Sequence, residues 1–336
     1  MPGETYLAAG VDHEAARKAK ESIKALASKT LQPEVLGGVG FFGGMYQLQG
    51  YRQPVLVSST DSPGTKLKLA TLMGRFDTVG VDVVNHCVND VFTSGAKPIF
   101  FLDYIGVGHL IPERAEALVK GVAEACQAVN CSLIGGETAQ LPGIYPEEEF
   151  DLAGFAVGVV EKDAIIDGST IVQGDALLAI VSNGLHTNGY SLARRVLGVE
   201  KDPSILSRTY PELGRTLGEA LLEPHRCYYP LLEPVLPLIK GMSHITGGGL
   251  SENVPRVLPK GLGARFDTST WEVPPIFTLI QEAGQVERGE MFDVFNMGVG
   301  MVLACAPEKT DEVRRLVPEA RVVGEVVKGG EVILSR

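Results

Sequence analysis

The sequence has no cluster of Lys and Arg, no CxxC pair and no apolar run long enough to span a bilayer. Each absence excludes a class of function. Thirty basic residues against 41 acidic ones leave a net charge of −11, with no basic patch to relieve it. Broad nucleic-acid binding is excluded, because it rests on neutralising many phosphates. A small phosphorylated ligand stays open, since a few backbone amides and one Lys can hold it against an acidic surround. The five cysteines (87, 126, 131, 227 and 305) are an odd number, which makes no disulfide framework. Each lies in an apolar stretch and reads as a buried free thiol. A membrane-spanning helix needs roughly 20 apolar residues, and the first residues lack a basic-then-apolar signal pattern. The expectation is a cytoplasmic protein with no membrane partner.

What is present is a globular composition, 45% apolar over 336 residues, enough for two domains each with its own core. The first half predicts a helix over 12–29, a Gly-rich stretch from Gly37 to Gly44, and a strand over 54–58. A helix over 79–93, a strand over 98–107 and a helix opened by Pro112 and running to about 129 follow. Residues 131–134 read as a buried strand ending in the turn Gly135-Gly136-Glu137-Thr138, and 150–161 as a further strand. Between Lys162 and Gly174 the apolar pattern relaxes into the turn signals Asp167-Gly168 and Gln173-Gly174. The boundary falls there, giving domains 1–167 and 168–336. Strands are expected over 175–182, 242–245, 299–306, 320–327 and 331–335, alternating with helices. The class is α/β of the α+β type, with two mixed domains.

Three features of the first half point to a metal and a phosphate. The strand 54–58 leads to Asp61 and then Gly64-Thr65-Lys66. Gly admits a phosphate close to the backbone, Lys supplies a point charge and Asp offers hard oxygen to Mg²⁺. The GxxxxGK[ST] spacing is absent, so this is no Walker loop, and an ordinary turn fits the residues equally well. On the next helix Asp82, His86, Asn89 and Asp90 share one face, while Val81, Val84, Val88 and Val91 occupy others. A polar stripe on so apolar a helix needs a partner, and a metal is one. Glu137 is offered at the end of its strand, where ligands gather in α/β folds, or is a surface Glu in a glycine turn. In the second half, Ser182 to Ser191 leaves a strand and enters a helix. There His186 is either structural or a general base beside an anion site. Thr246-Gly247-Gly248-Gly249, with Asn253 a turn later, repeats the arrangement as a second phosphate site or a plain tight turn.

Together the motifs resemble those of the phosphoribosylformylglycinamidine cyclo-ligase family, also called aminoimidazole ribonucleotide synthetase. They are Tyr6-Leu-Ala-Ala-Gly-Val-Asp12, Pro33-Glu-Val-Leu-Gly-Gly38, Cys87-Val-Asn-Asp90, Phe101-Leu-Asp-Tyr104 and Gly135-Gly-Glu-Thr-Ala139. His186-Thr-Asn-Gly-Tyr-Ser-Leu192, Thr246-Gly-Gly-Gly249 and Asn253-Val-Pro-Arg-Val-Leu258 continue them in order. The resemblance implies ATP-dependent ring closure in purine biosynthesis: formylglycinamidine ribonucleotide gives aminoimidazole ribonucleotide, ADP and phosphate, through phosphorylation of the formyl oxygen. It further implies Mg²⁺, K⁺ as an activator, and a homodimer whose paired N-terminal domains form a β-barrel. The C-terminal domain then completes the active-site cleft.

Residue by residue, it implies Asp61, Asp82, Asn89, Asp90 and Glu137 near Mg²⁺ and the ATP phosphates. Gly64, Thr65 and Lys66 correspond to the phosphate loop, with Lys24, Glu137 and Thr138 at the nucleotide. His186, Asn188, Thr246, Gly247, Gly248 and Asn253 face the substrate. Asp61, Lys66 and His186 are the implied catalytic groups. One departure is visible: the family loop reads Asp-Gly-Val-Gly-Thr-Lys, and Ser62-Pro63 replace Gly-Val. Pro removes an amide donor and Ser restricts the backbone, which puts phosphate contacts from those amides in question.

Related readings are weaker. Selenophosphate synthetase calls for a reactive N-terminal Cys, and no Cys precedes Cys87; the hydrogenase-maturation dehydratase calls for a C-terminal Cys, and the sequence ends Val-Ile-Leu-Ser-Arg. A thiamine-monophosphate kinase-like enzyme fits the motif chemistry without the long match. A nucleotide-binding scaffold without turnover is the reading from another class.

Overall fold

The computed structural model describes residues 12–335, so the motif residues 6–11 and Arg336 lie outside the described residues. Two compact units emerge, the first running to Val91 and resuming over Lys97–Glu161, the second formed by Phe92–Ala96 and Lys162 onward.

The first unit contains α1 (His13–Ser28), the short β1 (Val35–Leu36) and β2 (Met45–Tyr46), β3 (Pro54–Asp61), α2 (Leu67–Met73) and α3 (Asp77–Phe92). It continues with β4 (Lys97–Val107), α4 (Pro112–Ala128), β5 (Ser132–Gln140) and β6 (Phe150–Glu161). Asp12 opens α1 by accepting the amides of Glu14 and Ala15, the work of an N-cap. Pro112 stands in the first turn of α4, where its missing N–H costs nothing.

Four strands pair in the order β3-β6-β4-β5, antiparallel except β4 with β5. Side chains alternate across the sheet. Phe101, Asp103 and Ile105 point into the buried face, where α3 and α4 pack. Those two helices cross closely: a Cβ on Gly121 would stand 1.9 Å from the Asp77 carbonyl oxygen. The opposite face carries Leu56, Tyr104 and Phe155, 62, 37 and 39% exposed. At one end of it Tyr46, Leu48 and Tyr51 cover Val157 and Val159.

Gly135-Gly136-Glu137-Thr138 does not end its strand, contrary to the sequence reading. β5 runs on to Gln140 because Leu102 through Val107 of β4 supply a continuous parallel partner. Two glycines that look like a turn locally are held extended by that ladder.

The second unit holds β7 (Ala176–Val181), α5 (Tyr190–Val196), the two-residue β8 (Thr209–Tyr210) and β9 (Arg215–Thr216), α6 (Leu217–Leu221) and α7 (Tyr229–Leu232). Then follow β10 (Gly241–His244), α8 (Gly249–Asn253), β11 (Leu262–Asp267), α9 (Pro275–Gly284) and α10 (Arg288–Val294). β12 (Val299–Cys305), α11 (Thr310–Leu316), β13 (Arg321–Lys328) and β14 (Val332–Ser335) complete it. Its six-stranded sheet has the order β10-β12-β7-β13-β11-β14. Every residue of β10 and β12 is buried, and β12, Val-Gly-Met-Val-Leu-Ala-Cys, is apolar throughout.

All five cysteines are free thiols, four of them buried and Cys227 partly so. Among the described residues no helix is long and apolar enough to cross a membrane.

Candidate functional site

In the first unit the polar stripe of α3 lies against the end of β3. His86 Nε2 stands 3.1 Å from Asp61 Oδ2, and Ser59 Oγ donates to Asp90 Oδ2 at 3.0 Å. Ser59 and Asp61 are two apart on the strand and share its buried phase, while His86 and Asp90 are four apart on the helix. Of the expected face, His86 and Asp90 meet the end of β3. Asp61 keeps 40% of its side chain exposed, whereas Asp82, His86 and Asn89 are buried.

Asp82 does not face outward with Asp61. Lys66 Nζ lies 2.9 Å from its Oδ1 and 2.8 Å from its Oδ2, with both side chains fully buried. Two charges taken out of water need each other, so this pair neutralises itself. The structure thus places Lys66, expected at the phosphates, and Asp82, expected at the metal, against each other.

Ser62-Pro63 shape the loop before it. Asp61 Oδ1 accepts the Ser62 amide at 2.7 Å, and Ser62 Oγ accepts the Gly64 amide at 2.9 Å. Pro63, with φ −67°, leads into a single tight turn over Gly64–Lys66. Gly64 and Thr65 are exposed. Two amides that a phosphate would use are occupied by the loop's own side chains.

Glu137 is not gathered with these groups. Cross-strand pairing sets it beside Tyr104, on the exposed face, while its neighbour Gly136 pairs with Asp103 on the buried one. Thr138 pairs with Ile105. Lys24 is exposed on α1 and reaches the Gly-rich stretch, its Nζ 3.7 Å from where a Cβ on Gly40 would sit.

Sequence reasoning missed Asp103. The pairs Asp61↔Gly154, Gly154↔Asp103 and Asp103↔Gly136 place two carboxylates in one cross-strand row, with glycines between and beyond. Asp103 Oδ1 fills the space a Cβ on Gly136 would take, 1.7 Å away, so only Gly fits there. Its Oδ2 is buried with no hydrogen-bond partner, and burial pushes the carboxyl up to about 7. The available signal was a lone acid two residues from buried Phe101, in the buried phase of an apolar strand.

The second unit presents histidines. His186 follows β7 in a loop pinned by Asn296, which accepts from Ser182 Oγ at 2.8 Å and donates to the Gly184 carbonyl at 2.9 Å. The backbone at His186 has φ 62°, a left-handed conformation that costs a non-glycine residue free energy. Tyr190 secures it by donating to the carbonyls of His186 and Leu221 at 3.1 and 2.7 Å. The His186 ring stacks on His225 with centroids 4.0 Å apart. Sequence reading gave His225, His244 and Asn296 no role.

Asn188 Oδ1 lies 3.1 Å from where a Cβ on Gly247 would sit, so the loops carrying Asn188 and Thr246-Gly247-Gly248 converge. Asn253 serves inside that turn. Its Nδ2 donates to the Gly247 and Gly249 carbonyls at 3.0 and 2.8 Å, and its Oδ1 accepts from Thr246 Oγ1 at 3.2 Å. Asn253, expected at the substrate, thus braces the turn that carries Gly247 and Gly248.

Comparison with known proteins follows the same division. Residues 45–160 match the family described as AIR synthase related protein, N-terminal domain, and 172–335 match its C-terminal domain. A phosphoribosylformylglycinamidine cyclo-ligase of Geobacillus kaustophilus is 52% identical, over 98% of this chain and 97% of the relative. One from Desulfitobacterium hafniense is 50% identical, over 96% and 97%. Among solved structures, thiamine-monophosphate kinase from Stenotrophomonas maltophilia superposes with TM-score 0.70 at 17% identity, covering 94% of this chain and 95% of that one. Hydrogenase maturation protein HypE in complex with ATP superposes with TM-score 0.67 at 14% identity, covering 96% and 91%. At such identities these structures speak for the fold. The relatives of half-identical sequence, matched from end to end, decide the family: the chain belongs to the phosphoribosylformylglycinamidine cyclo-ligases.

Proposed function

We propose that this protein converts formylglycinamidine ribonucleotide to 5-aminoimidazole ribonucleotide, with ATP giving ADP and phosphate, in purine biosynthesis. The full-length similarity to named cyclo-ligases carries the reading. ATP makes the formyl oxygen a leaving group, and the amidine-side nitrogen attacks that carbon. Bound Mg²⁺ supplies positive charge against the phosphates as the phosphoryl group moves.

The residues of the first unit fit that cation. Asp61 and Asp90 offer hard oxygens at the meeting of β3 and α3, and Asp61 is open to solvent. We assign them as the Mg²⁺ ligands, with Asn89 beside them. Lys66 and Asp82 hold the helix to the loop. The exposed Gly64, Thr65 and Lys24 are the phosphate and nucleotide contacts. Domain 1–167 is the ATP- and Mg²⁺-binding half. In domain 168–336, His186 polarises the formyl oxygen or relays a proton, and Asn188 and the Thr246-Gly247-Gly248 loop hold substrate. The loop strain at His186 supports a functional position for its ring.

We further propose a cytoplasmic homodimer, activated by K⁺, in which the four-stranded sheets of two copies close a barrel. Exposed Leu56, Tyr104 and Phe155 on one sheet face support it, because an apolar face of this kind wants a cover. Glu137 lies on that same face, so its nucleotide contact, with that of Thr138 on the same strand, belongs to the assembled dimer.

The deciding experiment measures ADP release with formylglycinamidine ribonucleotide, thiamine monophosphate or no acceptor. ADP together with an aminoimidazole product, from the first substrate alone, is the expected result. ATP binding without turnover of any acceptor overturns the assignment in favour of a scaffold.

A further inference from the structure

His186, His225 and His244 come from three separate segments, the loop after β7, the loop before α7 and the end of β10, yet their rings converge in the second unit. One nitrogen from each lies within 4.8 Å of the other two, and the residues are only 1, 1 and 5% exposed. Burying three imidazoles together is costly unless their protons and lone pairs are matched. His225 Nε2 and His244 Nε2 face each other at 2.9 Å, a separation that requires a proton or a cation between the two lone pairs. Thr187 Oγ1 stands 3.2 Å from His225 Nδ1, placed to accept its N–H, which leaves the Nε2 lone pair directed at His244. Tyr228, whose ring is 6.1 Å from that of His186, directs its hydroxyl to the Val181 carbonyl instead.

We propose that His186, His225 and His244 form a binding site for a divalent transition-metal ion of the Zn²⁺ or Co²⁺ class. Three neutral imidazoles suit such ions and not Mg²⁺, which prefers oxygen. Nitrogens bound at about 2.0–2.1 Å around a tetrahedral ion sit roughly 3.3 Å from one another. The His225 and His244 nitrogens stand at 2.9 Å and all three lie within 4.8 Å, so binding an ion requires the His186 ring to turn out of its stack on His225. Thr187 then holds the ligating tautomer of His225 from outside the coordination sphere. On the catalytic reading above, an occupied site takes the His186 ring out of use, so the metal acts as an inhibitor.

The test uses tag-free, chelator-treated full-length protein in excess Mg²⁺ and no nucleotide. Titration with Co²⁺ should give one equivalent bound, with the visible absorption of a four- or five-coordinate ion, bleached by one equivalent of Zn²⁺. X-ray absorption of the Zn²⁺ form should show scattering from three imidazoles. His225→Gln should abolish the absorption while its near-UV circular dichroism stays that of the wild type; should it misfold, the wild-type titration and imidazole count decide alone. Absence of the Co²⁺ spectrum in wild type, or its persistence in folded His225→Gln, overturns the site. Neither result bears on turnover with Mg²⁺ and ATP, so failure here and failure of the cyclo-ligase reading are separable.

Discussion

Lys66 and Asp82 form an ion pair at 2.8–2.9 Å with no exposed surface on either side chain. It ties the turn after β3 to the first turns of α3, and so fixes where Asp61 stands against His86. Such a pair adds little net stability over apolar residues of the same size, but losing one partner strands a buried charge. Asp82→Asn and Lys66→Met should each destabilise the protein by about 3–5 kcal/mol, and Lys66→Met with Asp82→Leu should recover most of that loss. Urea denaturation of the three variants checks it. Single variants as stable as the wild type would show that the pair is not buried.

Asp103 sets a pH dependence of the opposite sense to an ordinary carboxylate. Its folded value of about 7 lies above the usual 3.8, so the native state holds a proton that the unfolded chain has released. Below pH 4 both states are protonated and there is no penalty. From there to pH 7 the native state loses ground, reaching about 4 kcal/mol in total. Asp103→Asn removes that titration. The variant should therefore gain on the wild type as pH rises from 4 to 8, read as the difference in urea midpoints. A difference that stays constant with pH would reject the buried ionisation.

Much of this was legible beforehand, because it depends on local patterns. The α3 stripe and the strand limits at Phe150 and Glu161 are set within a few residues of chain. What escaped depends on partners distant in sequence. Gly135-Gly136 reads as a turn until β4 is placed beside it. That Glu137 stands beside Tyr104 follows from register with β4, which its own motif does not contain. Lys66 and Asp82 are 16 apart, and nothing in either motif says that they meet. Asn253 and Asn296 have the composition of ligands, but their amides close loops. The histidine cluster joins His186 and His225, 39 positions apart, with His244 a further 19 on, a juxtaposition only the fold produces.

The exposed sheet face makes its own prediction. Leu56 sits at 62% exposure on β3, the edge strand, where a charge is harmless to an isolated copy. If two copies close a barrel across this face, Leu56→Asp buries an unpaired carboxylate in the joint. Sedimentation velocity should show a dimer for the wild type and a shift toward monomer for the variant. Thermal unfolding of the variant should fall in midpoint and become less dependent on protein concentration. A wild type that sediments as a monomer at all concentrations rules the barrel out.

Asp61 is where the proposed chemistry meets the loop altered by Ser62-Pro63. Its Oδ1 accepts the Ser62 amide and its Oδ2 faces His86, so an oxygen offered to Mg²⁺ is already oriented from two sides. Asp61→Asn keeps the shape and the acceptor for the Ser62 amide, and the partly exposed position predicts little change in stability. The lost negative charge should raise the Mg²⁺ concentration needed for half-maximal turnover and lower kcat, by roughly 10²-fold or more if one cation ligand is worth what a removed catalytic electrostatic contact usually is. ADP formation across a Mg²⁺ series measures both effects at once. Unchanged Mg²⁺ dependence in a folded Asp61→Asn would remove Asp61 from the metal site and shift the assignment to Asp90 and Asn89.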